Sequence, residues 1–157
     1  MTHSITRTQF ILLAAGGSAA LLAGAYGFEY LGGMAPCQLC LWQRYPHMAA
    51  VVIGLLALIL QGRTLPYLGA LAALTTAGIA LFHTGVERLW WEGLASCSAG
   101  SIAGISVEDL LNPAATVAAP VRCDAVAWEL AGLSMASWNG IASLVLVGFW
   151  LMAAKRR

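Results

Sequence analysis

Four stretches of the chain carry no Asp, Glu, Lys or Arg: residues 8–28, 45–62, 64–86 and 130–154, of 21, 18, 23 and 25 positions. The hydrocarbon core of a bilayer is about 30 Å thick and is crossed by a helix of about 20 apolar residues. Each stretch therefore has the length of one membrane crossing. Four crossings use about 80 residues of the 157 present, which leaves no room for a separate soluble enzyme domain. Composition agrees: 10% of the residues are charged and 60% hydrophobic, against about 25% charged in soluble domains. A net charge of +1 provides no basic surplus for neutralising nucleic-acid phosphates, so nucleic acid is not an expected partner. The lipid bilayer is.

The expected fold is an all-α membrane protein, a four-transmembrane-helix bundle forming a single domain over residues 1–157. Its spans are expected at 9–29, 43–61, 65–85 and 133–154, with extracytoplasmic loops at 30–42 and 86–132. The first stretch also has features of a secretory signal, with Ala23-Gly24-Ala25 as a small-residue cleavage site. Its apolar run from Phe10 to Phe28 is longer than the core of about 7 to 15 residues usual in a signal, so a retained helix is expected.

An even number of spans puts both termini on one side. That side carries Arg7, Arg63, Lys155, Arg156 and Arg157, against Arg44, Arg88 and Arg122 on the other. The positive-inside rule then makes the termini cytoplasmic. In the long loop, Ser106 with Asp109 three positions on reads as a helix start. Ile102, Ile105, Val107, Leu110 and Leu111 form its apolar side, and Pro113 ends it. A short helix on the membrane surface is expected, with packing on the bundle as the alternative. Trp90, Trp91, Trp128 and Trp138 fall near outer span ends, where interfacial indoles are common.

All four cysteines fall on the extracytoplasmic side of this topology: Cys37 and Cys40 ahead of the second span, Cys97 and Cys123 in the long loop. An oxidising compartment favours disulfides, and four cysteines permit three connectivities. A bridge from Cys97 to Cys123 would close a loop of about 25 residues and by itself reads as structural. Cys37-Gln38-Leu39-Cys40 differs, because a C-x-x-C bridge closes too small a loop to stabilise much. Such pairs are redox-active or metal-binding.

Pro36 and Cys37 open a helix here, and a helix N-terminus favours a thiolate on a nearby cysteine. Arg44 is one turn beyond Cys40 on the same face, where a guanidinium stabilises a Cys40 thiolate or another anion beside it. Snorkelling to lipid headgroups is its alternative role.

A dithiol that cycles must pass on two electrons. The sequence has no C-x-x-C-H haem motif, no glycine-rich dinucleotide fingerprint and no histidine cluster. The acceptor available in a bilayer is a lipid-soluble quinone, and Arg44 at the bilayer edge is placed to polarise a quinone carbonyl. His83, at the end of the third span, is either an interfacial histidine or a proton-handling or quinone-contacting one. His47, after Pro46, is a weaker candidate of the same kind.

These residues carry a resemblance. Pro36-Cys37-Gln38-Leu39-Cys40-Leu41-Trp42-Gln43-Arg44, two loop cysteines ahead of the fourth span, Arg122-Cys123-Asp124 through Trp128, Gly132-Leu133 and Trp138-Asn139-Gly140 resemble the disulfide-bond formation protein B (DsbB) family of bacterial inner-membrane thiol:quinone oxidoreductases. The resemblance covers nearly the whole chain. It implies that Cys97 forms a mixed disulfide with a periplasmic, thioredoxin-fold, DsbA-like partner, that Cys123 then shuttles to Cys37, and that Cys40 remains as the thiolate facing quinone beside Arg44. It implies ubiquinone or menaquinone as the acceptor, no metal, and a place for Met135 in the quinone pocket. Between Ala99 and Ala119 no residue-by-residue match can be drawn. The competing readings are a family paralogue serving a dedicated partner, a membrane metal-binding or transport protein using Cys37 and Cys40, and a scaffold held by two structural disulfides.

Overall fold

The computed structural model describes residues 6–94 and 121–156. Cys97 and the short helix expected near Ser106–Leu111 lie outside the described residues. Among the described residues, four helices carry the fold: α1 (Arg7–Tyr30), α2 (Gln38–Ile59), α3 (Thr64–Glu87) and α4 (Met135–Lys155). A hairpin of β1 (Glu129–Leu130) and β2 (Leu133–Ser134) leads into α4.

Helices α1, α2 and α4 begin where side chains satisfy their free amide groups, whereas α3 starts without a side-chain cap. Thr6 and Gln9 form a reciprocal capping box on α1, at 3.3 and 2.8 Å. Ser134 Oγ accepts the Ser137 amide at 3.2 Å to cap α4. The cap of α2 is Cys37, whose Sγ accepts the Cys40 amide at 3.2 Å. Among the described residues, α1, α3 and α4 are long and apolar enough to cross a membrane. The 22-residue α2 is outside that group; its first half carries Gln43, Arg44, Pro46 and His47.

Observed boundaries differ from the expected spans in two places. Helix α2 starts at Gln38, five positions ahead of the expected 43, because the Cys37 cap takes the cysteine pair into its first turn. Residues 133 and 134, expected inside the last span, are strand β2. Ala131 and Gly132 form the two-residue turn, both at positive φ (52° and 77°), with Leu130 paired to Leu133 and Glu129 to Ser134. Two such residues give the primed turn that suits a tight hairpin.

The helices close into a ring: α1 lies against α2 and α4, and α3 against the same two. Arg7 Nη2 donates to the Gly62 carbonyl at 2.9 Å, which puts the start of α1 beside the α2–α3 turn. At this end Ala14, Ala50, Ala57, Ala70, Ala73 and Ala153 surround the fully buried Trp150. A Cβ on Gly69 would come within 2.5 Å of the Trp150 ring, and one on Gly54 within 2.3 Å of Ala15 Cβ. Small residues at helix contacts allow the close backbone approach on which association in lipid depends. Large side chains such as Leu12, Leu55, Leu71, Leu81 and Leu144 point outward and are exposed, the reverse of a soluble bundle.

Candidate functional site

At the other end of the ring, cysteines and polar side chains enter the apolar interior. Cys37, Leu39, Val86 and Cys123 form a buried cluster, with Cys40, Ile79, Phe82 and Leu94 against it. Cys37 and Cys40 are free thiols whose sulfurs stand 2.8 Å apart, with Cys37 donating to Cys40. An S–S bond of about 2.05 Å needs only a small further approach. Cys123 is fully buried and disulfide-bonded.

Donation from Cys37 leaves the pair asymmetric. The Cys37 thiol, hydrogen-bonded to Cys40 and buried, is pushed far above its ordinary range. Cys40, in the first turn ahead of residue 43, is lowered from 9.0 to about 7, first by the Cys37 hydrogen bond, against the opposing effect of burial. Arg44 contributes the smallest of the effects on Cys40. Its guanidinium turns to α1, where Nη1 pairs with Glu29 and the group sits 4.7 Å from the centroid of the Tyr26 ring.

From Cys37 a chain of hydrogen bonds runs down between α2, α3 and α4. His83 Nε2 is 3.6 Å from Cys37 Sγ and 3.2 Å from the Cys123 carbonyl. Its Nδ1 is 3.0 Å from Gln43 Nε2, which also donates to the Leu39 carbonyl at 3.2 Å. Gln43 Oε1 accepts from Asn139 Nδ2 at 2.7 Å, and Asn139 Oδ1 lies 3.0 Å from His47 Nε2. Thr76 Oγ1 donates to the Gln43 carbonyl at 3.1 Å and accepts from Asn139 at 3.4 Å. Beside this chain, Ser134 Oγ donates to Glu87 while capping α4, so an acidic group sits at the positive end of a helix dipole.

A cavity of about 470 Å³ opens along this chain, within the range usual for small-molecule sites. Its wall includes Cys37, Cys40, Arg44, His83 and Met135, with Phe28, Trp128 and Trp138. Cys123 is flanked at the rim by Arg122 and Asp124, paired through 2.8 and 2.5 Å contacts. The Arg122 hydrogen bonds hold the Asp124 carboxyl below the usual carboxylate range. The Cys37, Cys40 and His83 donor atoms lie within 4.8 Å of one another, a spacing that a soft metal ion would accept.

The family described as disulfide bond formation protein DsbB matches residues 7–153. The chain belongs to the DsbB family. It is similar to the disulfide bond formation protein B of Methylococcus capsulatus, 34% identical with 97% of this chain and 96% of the relative covered. The protein of that name from Chromobacterium violaceum is 31% identical, covering 100% and 99%. That from Aromatoleum aromaticum is 31% identical over 97% and 95%. No solved structure matches the chain. A DsbB-family membrane protein with a role in disulfide formation is thus an oxidoreductase acting on thiols.

For this DsbB-family chain the structure gathers six of the residues singled out in the sequence, Cys37, Cys40, Arg44, His47, His83 and Met135, around one cavity. Cys123 is packed with Cys37 beside it, and Cys97 lies outside the described residues. Sequence reasoning missed Glu29, Asn139, Thr76 and Glu87. Glu29 had a signal: it and Arg7 are the only charged residues of α1, and an isolated charge at a helix end needs a partner. Asn139 had only its place in Trp138-Asn139-Gly140 and Thr76 had none, since polar residues on apolar helices do not declare which neighbour they face.

Proposed function

We propose that the chain is an inner-membrane protein thiol:quinone oxidoreductase that reoxidises a periplasmic DsbA-like, thioredoxin-fold dithiol oxidase and passes the two electrons to the membrane quinone pool. The observation that carries this reading is the Cys37–Cys40 pair set in the wall of a largely apolar cavity beside buried Cys123. Such a cavity suits a flat, lipid-soluble ring, and the polar groups that would hold it are few and convergent. Ubiquinone and menaquinone both fit that description. Quinone supplies the two-electron, two-proton sink.

The protein's own residues do the rest. Cys97 takes the partner's thiolate in a mixed disulfide, and the partner leaves oxidised when its second thiolate attacks that bond. Cys123, released by this exchange, attacks Cys37 of an oxidised Cys37–Cys40 pair, and Cys40 leaves as the thiolate. Cys40 suits that part because it stands in the cavity wall with Arg44, whose charge favours its thiolate. Arg44 gives Nη1 to Glu29, and a guanidinium fork has further N–H donors with which to bind a carbonyl oxygen and stabilise negative charge on it. Met135 and His83 complete the wall.

In the bilayer, the chain is one domain of four spans near 9–29, 43–61, 65–85 and 133–154, with both termini cytoplasmic and the cysteines periplasmic. Loops 30–42 and 86–132 face the periplasm. Although its first half is polar, α2 crosses because its polar side chains face the ring interior, where Gln43, Arg44 and His47 are buried.

Purified protein mixed with a reduced thioredoxin-fold dithiol and a water-soluble quinone is expected to produce quinol and oxidised partner in equal amounts. Cys40→Ser is expected to stop both, and normal turnover by that variant would overturn the reading. Replacing Cys123 with Ser and trapping the mixed disulfide at Cys97 identifies the partner, including a dedicated one served by a paralogue. The 4.8 Å grouping of Cys37, Cys40 and His83 favours a second reading, a soft-metal site. Stoichiometric zinc or copper in the protein as isolated would support it.

A further inference from the structure

His83 is held by protein groups at both ring nitrogens, and the directions of those bonds can be worked out from atoms that have no choice. A backbone carbonyl only accepts. The Leu39 carbonyl therefore requires that the Gln43 atom facing it, 3.2 Å away, be the amide nitrogen. That same nitrogen faces His83 Nδ1 at 3.0 Å, so Nδ1 accepts and bears no proton. At the other side of the ring, Nε2 faces the Cys123 carbonyl at 3.2 Å, so Nε2 must carry the proton. Two carbonyls, one on α2 and one in the loop, thus fix the same tautomer independently.

The assignment propagates inward. With its nitrogen committed, Gln43 offers Oε1 to Asn139 Nδ2 at 2.7 Å, and Asn139 in turn offers Oδ1 to His47 Nε2 at 3.0 Å. The Thr76 hydroxyl, its proton given to the Gln43 carbonyl, accepts the other Asn139 proton. Every one of these side chains is on a helix of the ring, and His83, Gln43 and Thr76 are buried. The Cys123 carbonyl is the one end of this chain that belongs to the loop between α3 and α4.

We propose that His83 is a positioning residue that docks the Cys123 segment on the cysteine pair, and that Gln43 and Asn139 set it for this by fixing its ring proton on Nε2. The proposal rests on the reading that Cys123 exchanges with Cys37. In that exchange the Cys123 thiolate attacks Cys37 Sγ, the Cys123–Cys37 bond forms, the Cys37–Cys40 bond breaks, and the electron pair leaves on Cys40. No net oxidation occurs and no proton need move. His83 contributes by geometry: the Nε2–H that holds the Cys123 carbonyl is also 3.6 Å from Cys37 Sγ. A single N–H thereby holds the carrier of the attacking sulfur next to the sulfur attacked, and proximity of this kind is what raises the rate of an intramolecular exchange.

The test uses the full-length protein in nanodiscs with Cys40→Ser and Cys97→Ser, which leaves Cys37 and Cys123 as the two thiols. Equilibration against glutathione redox buffers gives their effective concentration as a disulfide pair. His83→Leu is expected to lower it about five- to tenfold, the effect of one lost hydrogen bond, and His83→Gln, which keeps an N–H donor, is expected to restore most of it. An unchanged value in His83→Leu would overturn the proposal. Nitrogen-15 spectra of histidine-labelled wild-type protein, with the His83 signals assigned by their loss in His83→Gln, are expected to show one neutral tautomer protonated at Nε2. Gln43→Leu leaves the Cys123 carbonyl as the one restraint on the ring and is expected to let part of the population move to the Nδ1–H tautomer; an unchanged spectrum would overturn the part given to Gln43. A proton on Nδ1 in the wild type would overturn the proposal even if His83→Leu does not fold. Neither measurement involves quinone, so failure of the oxidoreductase reading would be seen separately in the turnover assay.

Discussion

The two ends of this bundle are built from the same four helices and solve opposite problems. At the end holding the α2–α3 turn, alanines and glycines bring the backbones together around Trp150. Among the described residues, no cysteine or histidine belongs to that core. At the cysteine end, the same helices present Gln43, His47, Thr76, His83 and Asn139 to one another, and the bonds among them frame a cavity of about 470 Å³. A polar group in a low-dielectric interior is costly unless it is bonded, so the polar end must be as fully specified as the apolar one. Close packing fixes the helices at one end, which allows directional bonds to hold an open site at the other.

The largest test of this division is Trp150→Ala. Removing a fully buried ring from the sealed end is expected to cost about 3 kcal/mol, toward the low side for such a cavity because an indole N–H without a partner is removed with it. The measurement is unfolding in mixed micelles. At temperatures where the variant is folded, Cys40 alkylation is expected to match wild type; a large change would mean the two ends are not separable.

A second test concerns the polar end alone. In the reduced protein, Cys40 alkylation follows its thiolate, whose pKa is lowered to about 7 by the Cys37 thiol. The rate is expected to be flat above about pH 8 and to fall about tenfold per pH unit below 7. Protonation at low pH removes the nucleophile, so the loss runs toward acid. Cys37→Ala is expected to move the midpoint up toward the ordinary 9.0. A midpoint that stays near 7 would assign the effect to Arg44 and the helix end instead.

The smallest effect belongs to the hairpin over the polar end. Ala131 holds φ at 52°, a left-handed conformation that costs an L-residue about 1 to 2 kcal/mol. Ala131→Gly relieves it, offset by glycine's greater freedom when unfolded, for an expected net gain of about 0.5 kcal/mol. Thermal unfolding checks it, and Trp150→Ala combined with Ala131→Gly should show simple additivity if the ends act independently.

Much of this was legible without coordinates. The four charge-free stretches correspond to α1, the apolar part of α2, α3 and α4, because burial of charge in lipid is prohibitive and leaves a plain record in sequence. The C-x-x-C pair and Arg44 declared themselves by spacing and by isolation. The hairpin did not, since Leu-Ala-Gly-Leu reads as more apolar helix until Gly132 and Ala131 are seen at positive φ. Arg44 was placed one turn beyond Cys40 but its partner was not foreseen, because pairing with Glu29 depends on which helix lies beside α2.

The sequence by itself determined that the chain is built of membrane-crossing apolar helices, and where along it the cysteine pair and its neighbouring Arg44 stand. These follow from composition and local spacing, which act residue by residue. The tertiary structure alone decided that Cys37 keeps the shared proton while Cys40 gives it up, that Arg44 answers to Glu29, and that His83 looks to Gln43 on one side and to the Cys123 carbonyl on the other. Each of those depends on a hydrogen bond or ion pair whose partner or direction is set only once the folded chain brings the groups together, and separation along the chain carries no information about it.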